Sequence, residues 1–377
     1  MRVLMISDVY FPRINGVSTA IHTYHRTLLD EGVEVRLIAP DYGDHGDDES
    51  WVVRIPARAV PNDPEDRIMR WSALLAAVET EALNADVIHI QTPFLAHYAG
   101  LKIARKLGVP RIATYHTLFE EYFQHYVPFL PASWLKRLAR YISRRQCNAM
   151  TRIIVPSRAI EQRLRDYGVR QSMQILPTGV SMSQFNGGDG ARFRARHDIA
   201  PERPVALFVG RVAFEKNITF LLESVDIVRH QHHNMLFIIT GNGPAMKQLQ
   251  HEVIRRKMDD NVMFLGYLER LQELPDCYGA ANAFIFASRT ETQGLVLIEA
   301  MAMGVPVVAL SSMGTADILE AERGALVPED DPNAFAVSLA LLLGDSDLQH
   351  RLSQQGREYA KQWDELVLAR RLAAVYR

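Results

Sequence analysis

The chain has 377 residues, enough for two or three domains with sizeable cores, and its 48% hydrophobic and 23% charged content is ordinary for globular proteins. A formal charge of −2 excludes a generally nucleic-acid-binding surface. Two cysteines, Cys147 and Cys277, are too few and too far apart for a disulfide framework, which points to a reducing, cytoplasmic setting.

The opening run to Ser7 and Asp8 reads as a first strand, Val3–Ile6, and not as a signal peptide. The loop Asp8–Gly16 and a helix from about Ser18 to Asp30 follow, with apolar positions at Val17, Ala20, Ile21, Tyr24 and Leu28. Gly32 ends that helix, and Val33–Ala39 is the next strand. This βαβ unit lacks G-x-G-x-x-G, so it is not a dinucleotide fingerprint. Asn15 and Gly16 at its turn tolerate positive φ, as a close approach to a ligand phosphate would require; an ordinary turn would look the same.

Alternation continues through strand Trp51–Ile55, a helix near Ile68–Leu83, strand Asp86–Ile90, helix Leu95–Leu107 and strand Arg111–Tyr115. His116 falls just past the last strand, where open parallel sheets hold ligands, although a structural histidine fits as well. The segment 119–131 gathers Phe119, Tyr122, Phe123, Tyr126 and Phe129, either packed under the next helix or forming a site for an apolar acceptor. That helix, Ala132–Met150, carries Trp134, Leu135, Leu138, Tyr141 and Ile142 toward one side and Lys136, Arg137, Arg140 and Arg144 toward another, at about 3.6 residues per turn. It reads as an interfacial anchor for an anionic membrane surface or as a surface helix with a solvated basic face. Strand Ile153–Pro156, a helix capped by Ser157 and strand Met173–Leu176 complete an N-terminal domain over 1–180. Gly187-Gly188-Asp189-Gly190 lies in an expected linker over 181–200.

The logic repeats in an expected second domain over 201–360. After strand Val205–Val209 come Gly210-Arg211 and Glu215-Lys216-Asn217, then a helix from Ile218 with Asn217 as its expected cap. Arg211 and Lys216 sit beside a helix N-terminus whose partial charge repels them; a shared anion such as a diphosphate resolves the conflict. Strand-end glycines Gly241 and Gly266, the latter followed by Tyr267, would let backbone approach a base or ribose. Strand Phe284–Ala287 leads to S-R-T-E-T-Q-G-L-V-L-I-E-A-M-A-M-G-V-P. There Gly294 opens a helix, Leu295–Met303, that is apolar on every side except at Glu299. An isolated buried carboxylate is costly, so Glu299 needs donors from a ligand or from the protein. The amides of Gly294, Leu295 and Val296 are placed to hold a phosphate, with Glu291 and Glu299 accepting hydroxyls on either side. Helical pieces run from Asn333 to Arg377, the last of them, over 361–377, expected to return to the N-terminal domain. Asp345-Ser346-Asp347 beside Gly344 reads as a helix cap, and no histidine pair has a metal constellation, so no metal or cofactor is expected. The longest uncharged stretch, Ala300–Ala316, is broken by Gly304, Pro306 and Gly314 and spans no membrane.

F-P-R-I-N-G-V, Y-H-T, F-V-G-R-V-A-F-E-K-N and E-T-Q-G-L-V-L-I-E-A-M-A-M-G-V-P-V-V, in that order and spacing, resemble the retaining GT-B glycosyltransferases of family 4. Diacylglycerol glucosyltransferases and phosphatidylinositol mannosyltransferases are among them. The resemblance implies two Rossmann-like domains facing across a cleft and transfer of a hexose from a nucleotide sugar, with retention and without a metal. By it Arg211 and Lys216 bind the donor diphosphate, Glu299 the ribose, Glu291 and His116 the sugar, and Gly16 approaches the phosphate or sugar. Many members carry Gly-Gly where this chain has Asn15-Gly16, and Gly-Phe-Gly where it has Thr292-Gln293-Gly294. The T-E-T-Q-G form, the aromatic segment and the basic helix are closest to the glycolipid synthases, which favours a lipid acceptor at the inner membrane face over a soluble sugar or polyol. A UDP-sugar is the expected donor over a GDP-sugar, although base readout by backbone leaves no side-chain signature to choose between them. A nucleotide-sugar-binding protein without turnover is the less favoured alternative, and oligomeric state is not specified.

Overall fold

The computed structural model describes residues 1–13, 15–43, 50–60, 63–116, 132–319 and 323–377. Tyr122, Phe123 and Tyr126, expected at an acceptor site, lie outside the described residues, as does the side chain of Lys136. The chain divides into two compact units, Met1–Gly179 with Glu365–Arg377, and Val180–Asp364. Each is Rossmann-like, with helices packed on a wholly parallel sheet.

In the first unit the strands are β1 (Arg2–Ile6), β2 (Glu34–Pro40), β3 (Val52–Ile55), β6 (Val87–Ile90), β7 (Arg111–Thr114), β8 (Arg152–Val155) and β9 (Met173–Ile175). They are ordered β3-β2-β1-β6-β7-β8-β9. Strand order reverses between β1 and β6, the position where doubly wound sheets open a crevice at their carboxyl edge. Two further strands, β4 (Ala57–Val60) and β5 (Asp63–Met69), form an antiparallel hairpin of their own. The expected helix near Ile68 accordingly begins later, at Trp71, and runs to Ala82. Ile68 and Met69 are apolar enough to extend a helical pattern backwards, but they close the hairpin against Arg58 and Ala57.

The terminal helix Glu365–Tyr376 belongs to this first unit. Leu368, Leu372, Ala373 and Tyr376 share one core with Met5, Ile21, Leu28 and Leu37. Arg26 pairs with Glu365, and the Tyr376 hydroxyl lies 2.6 Å from Nδ1 of the buried His89. Nε2 of His89 is 2.7 Å from the Thr114 hydroxyl, and burial pushes this imidazole down to a pKa of about 3. The ring is therefore a neutral pin between the last helix and the sheet.

In the second unit β10 (Val205–Val209), β11 (Leu236–Thr240), β12 (Val262–Gly266), β13 (Ala283–Phe286), β14 (Val307–Ala309) and β15 (Ala325–Leu326) are ordered β12-β11-β10-β13-β14-β15. Every residue of β10, β11, β13 and β14 is buried, as sheets covered on both faces demand. Here the reversal falls between β10 and β13. The expected linker over 181–200 is packed into this unit. Phe185, Phe193 and Ile199 join its core, and Arg192 forks onto Asp276 at 2.8 Å through both Nε and Nη2. The glycine run serves contact here, not freedom: a Cβ at Gly188 or Gly190 would strike the carbonyl of Pro275 or Gly279.

Candidate active site

In the second unit the loops after β10 and β13, neighbours at the sheet's reversal, are tied into one surface. Gly210 turns the chain out of β10, and Arg211 stands exposed beyond it, its guanidinium without a carboxylate or hydrogen-bond partner among the described residues. Lys216, on the short 3₁₀ turn Phe214–Lys216, is paired with Glu291 from the other loop. Two further bonds hold the loops together: Asn217 Nδ2 donates to the Ala287 carbonyl at 3.2 Å, and the Ser288 hydroxyl donates to the Glu215 carbonyl at 3.2 Å. Asn217 thus does not cap the helix Ile218–Val228 with its side chain, contrary to expectation. It adopts φ 56° and spends its amide on the neighbouring loop.

Gly294, at φ 94°, opens the helix Leu295–Ala302 with no side-chain cap. The amides of Leu295 and Val296 have no intrahelical acceptors, as at any helix start, whereas Leu297 N donates to the Gly294 carbonyl at 3.0 Å. Glu299 lies within that helix at 3% exposure. The donors that its burial requires come from the protein: the Tyr278 hydroxyl at 3.0 Å on Oε2 and Arg270 Nη2 at 3.0 Å on Oε1. A carboxylate offers about four lone pairs, so both oxygens can accept again. Tyr278 is fully buried, and its burial, with the charge of Glu299 beside it, raises its pKa well above 10, so the phenol remains a donor. Arg270 is held in turn by stacking over Phe185, 5.9 Å from the ring centre. Neither Tyr278 nor Arg270 was marked by sequence; each meets Glu299 across a turn of fold and not along one element.

The remaining strand-end residues of this unit are distributed as follows. Gly241 and Gly266 sit together, Gly241 N donating to the Gly266 carbonyl at 2.6 Å, and a Cβ on Gly241 would strike the Gly210 carbonyl. Gly241 is therefore required by backbone packing in the protein itself. Tyr267, beside them, is 78% exposed. Asp345 caps the helix Ser346–Ala360, accepting from Leu348 N at 2.9 Å. Among the described residues there is no group of three or more metal-ligating side chains.

In the first unit the reversal between β1 and β6 places Asp8 and Gln91 at adjacent strand ends. Asp8 accepts from the Thr92 hydroxyl at 2.7 Å and from Ala96 N at 3.1 Å, and so caps the helix Leu95–Leu107. Burial raises its pKa to about 6 against those bonds. His116, beyond β7, is half-buried with Nε2 2.8 Å from Gln91 Oε1, and burial lowers its pKa to about 4. Asn15 and Gly16 differ from expectation. Asn15 is an extended N-cap, φ −156°, whose side chain accepts from Ser18 N at 2.9 Å, and Gly16 is the first residue of the helix Gly16–Leu29 without positive φ. The turn needs no strained backbone, and a Cβ on Gly16 would meet nothing within 4 Å.

The basic helix runs from Ala132 to Cys147. Its core contacts are Leu135, Ala139, Ser143, Gln146 and Cys147, spaced three and four apart. Trp134, Leu138 and Tyr141, expected on the same apolar stripe as Leu135, are exposed at 71%, 46% and 50%. They share the solvent side with Arg137, Arg140, Arg144 and Arg145, and Arg144 lies over the Tyr141 ring. No helix among the described residues is long and apolar enough to cross a membrane.

Known proteins resemble this chain along nearly its whole length. Residues 14–184 match the model of glycosyltransferase family 4, and residues 189–359 that of glycosyl transferases group 1. An alpha-monoglucosyldiacylglycerol synthase of Streptococcus pneumoniae is 30% identical over 366 residues, 94% of this chain and 81% of that protein. A second protein of that name, from Acholeplasma laidlawii, is 29% identical over 323 residues, 82% of this chain and 80% of its own. In fold, the sucrose-phosphate synthase of Thermosynechococcus elongatus superimposes with a TM-score of 0.80 at 22% identity, covering 100% of this chain and 98% of that one. With the two Rossmann-like halves and the loops at their sheet reversals, these matches establish that the chain is a GT-B glycosyltransferase and belongs to the family 4, group 1 glycosyltransferases.

Proposed function

We propose that this enzyme moves a hexose, with retention of anomeric configuration, from a UDP-sugar to a hydroxyl of a membrane lipid such as diacylglycerol, bound peripherally at the cytoplasmic face. The observation that carries the lipid acceptor is the exposed face of the helix Ala132–Cys147. Three large apolar side chains, Trp134, Leu138 and Tyr141, stand in solvent among four arginines. Such a face gains free energy by sinking its rings to the headgroup boundary while its cations meet anionic lipid. The names of the two relatives support diacylglycerol as acceptor and glucose as the sugar.

The donor is assigned to the second unit. Arg211 and Lys216, with the amides that open the helix Leu295–Ala302, hold the diphosphate; Glu299 offers its remaining lone pairs to the ribose; Glu291 holds a sugar hydroxyl. Tyr267, with Gly241 and Gly266, borders the base. In the first unit, His116 meets a sugar hydroxyl and Gly16 leaves room for the ligand. As the glycosidic bond breaks, its electron pair goes to the departing nucleoside diphosphate. Fixed cations and amides stabilise that growing charge, which gives the scheme no need of a metal. The acceptor hydroxyl then attacks from the face the leaving group has left, and its proton passes to an oxygen of the departing diphosphate.

The test combines flotation with transfer, using vesicles of phosphatidylglycerol and diacylglycerol and labelled UDP-glucose. Binding that weakens with salt and label that enters the lipid fraction are expected. Label passing instead to a soluble sugar or polyol without vesicles would replace the lipid acceptor. Faster transfer from GDP-mannose would replace the donor.

A further inference from the structure

Charge is unevenly spread along this chain. Residues 87–160 hold eleven lysines and arginines against two acidic residues, Glu120 and Glu121, a formal +9 in a chain whose total is −2. The segment builds β6, the helix Leu95–Leu107, β7, the helix Ala132–Cys147 and β8, the three strands being neighbours in one parallel sheet. Right-handed crossovers between successive parallel strands put both helices on the same face of that sheet. Gln146 ties the two together: its Nε2 donates to the Pro93 carbonyl at 2.8 Å and to the Tyr98 hydroxyl oxygen at 3.3 Å.

The helix Leu95–Leu107 has a face that the core does not use. Ala96, His97, Ala99, Gly100, Ile103 and Ala104 are buried. Phe94, Tyr98, Lys102 and Arg105, spaced four, four and three apart, lie on the opposite side. All four are exposed, Phe94 at 47% and Tyr98 at 51%. Aromatic rings belong at the headgroup boundary of a bilayer, and cations a turn or two away meet its anionic phosphates. The helix Ala132–Cys147 beside it carries the same combination in Trp134, Leu138, Tyr141 and its arginines. A soluble polyanion would satisfy the cations and leave these apolar side chains in water.

We propose that the helix Leu95–Leu107 is a second docking element for an anionic bilayer: Phe94 and Tyr98 sink to the headgroup boundary, and Lys102 and Arg105 pair with anionic headgroups. The inference rests on the reading of the helix Ala132–Cys147 as membrane-bound and adds the element that shares its load. Pro93 and Phe94 follow closely on the carboxyl end of β6, at the reversal of the sheet. Docking on both helices therefore brings the headgroup layer to the edge where a doubly wound sheet takes up its ligand.

The experiment uses the full chain and phosphatidylglycerol vesicles, with sedimentation to measure binding and a thiol-linked fluorophore that brightens in apolar surroundings. Cys147 and Cys277 are buried, so a cysteine placed at an exposed position takes the label. Tyr98→Cys, Leu138→Cys and, as a control on the second unit, Ile254→Cys are labelled one at a time. On vesicles the labels at 98 and 138 should brighten and shift to the blue relative to the label at 254. Lys102→Glu combined with Arg105→Glu keeps both rings; it should weaken vesicle binding at least tenfold with an unchanged melting temperature. A label at 98 that responds no more than the control while the label at 138 responds, or a charge-reversed variant that binds as wild type does, overturns the inference and leaves the reading of Ala132–Cys147 standing. No response at either position, or tighter binding to double-stranded DNA than to the vesicles, overturns both.

Discussion

Replacing Tyr278 by phenylalanine deletes one oxygen from the interior of the second unit and leaves every apolar contact of the ring in place. That oxygen donates to Glu299, a carboxylate at 3% exposure whose other protein donor is Arg270 at 3.0 Å. A hydrogen bond to a charged group contributes about 1.5–3 kcal/mol, and a buried acceptor deprived of its donor bears the full loss. Because Arg270 keeps the charge neutralised, the middle of that range, about 2 kcal/mol, is the expected destabilisation. In a unit the size of Val180–Asp364, each kcal/mol moves the melting temperature by roughly 2–4 °C, so a fall of about 4–8 °C is predicted. Calorimetry resolves it on the transition of that unit, with the transition of the first unit as an internal control. Glu299→Gln should cost more, because an amide must turn its own NH2 toward one of the two donors. A melting temperature unchanged within a degree in Tyr278→Phe would show that this hydrogen bond does not hold Glu299, and the derivation of its poised lone pairs would go with it.

Three further outcomes are expected. Lys216→Ala and Glu299→Ala should each remove most transfer activity while leaving circular dichroism native-like, since Lys216 and Glu299 are assigned to the donor; near-wild-type rates in both would refute that assignment. Acid should destabilise the first unit. His89, His97 and His116 are held neutral by burial, with pKa values pushed down to about 3, 4 and 4, so below pH 6.5 the unfolded chain binds protons that the folded one refuses. Asp8 works in the opposite sense: its folded pKa of about 6 stands above the unfolded value, so its contribution is full below about pH 4 and fades as pH rises through 6. The histidines outnumber it, leaving about two extra protons on the unfolded state near pH 5 and a loss of roughly 2–3 kcal/mol per pH unit there. Urea titrations at pH 7 and pH 5 measure this, and equal stability at the two would contradict it. Tyr376→Phe, which removes the hydroxyl on His89, should lower the stability of the first unit by about 1 kcal/mol.

The parallel sheets were legible because strands buried on both faces are continuous apolar runs, as in Val205–Val209 and Phe284–Ala287, and no other arrangement suits them. The helix around Glu299 was legible for a related reason: one carboxylate in an apolar helix has to be accounted for chemically. What sequence left open was which partner answers the demand. Tyr278 and Arg270 stand 21 and 29 residues from Glu299, and nothing local announces either contact. Periodicity also finds an apolar stripe without saying which edge of it meets the core. Leu135 and Ala139 turned inward, and Trp134, Leu138 and Tyr141 were left outside. Glycine was misread twice for one reason, that freedom and close contact look alike in a sequence. Gly188 and Gly190 are packed against carbonyls, and Gly16 begins a helix without positive φ, so what it offers is open space and not backbone freedom.

The account depends on the second unit gripping a nucleoside diphosphate at the reversal of its sheet. Arg211 offers the cleanest test, since its exposed guanidinium has no partner among the described residues and its loss disturbs no packing. Titration calorimetry of UDP into wild type and Arg211→Ala measures the point directly. At least tenfold weaker binding in the variant, about 1.4 kcal/mol, with an unchanged melting temperature of the free protein, is the predicted result. Equal affinity of the two proteins for UDP would contradict it.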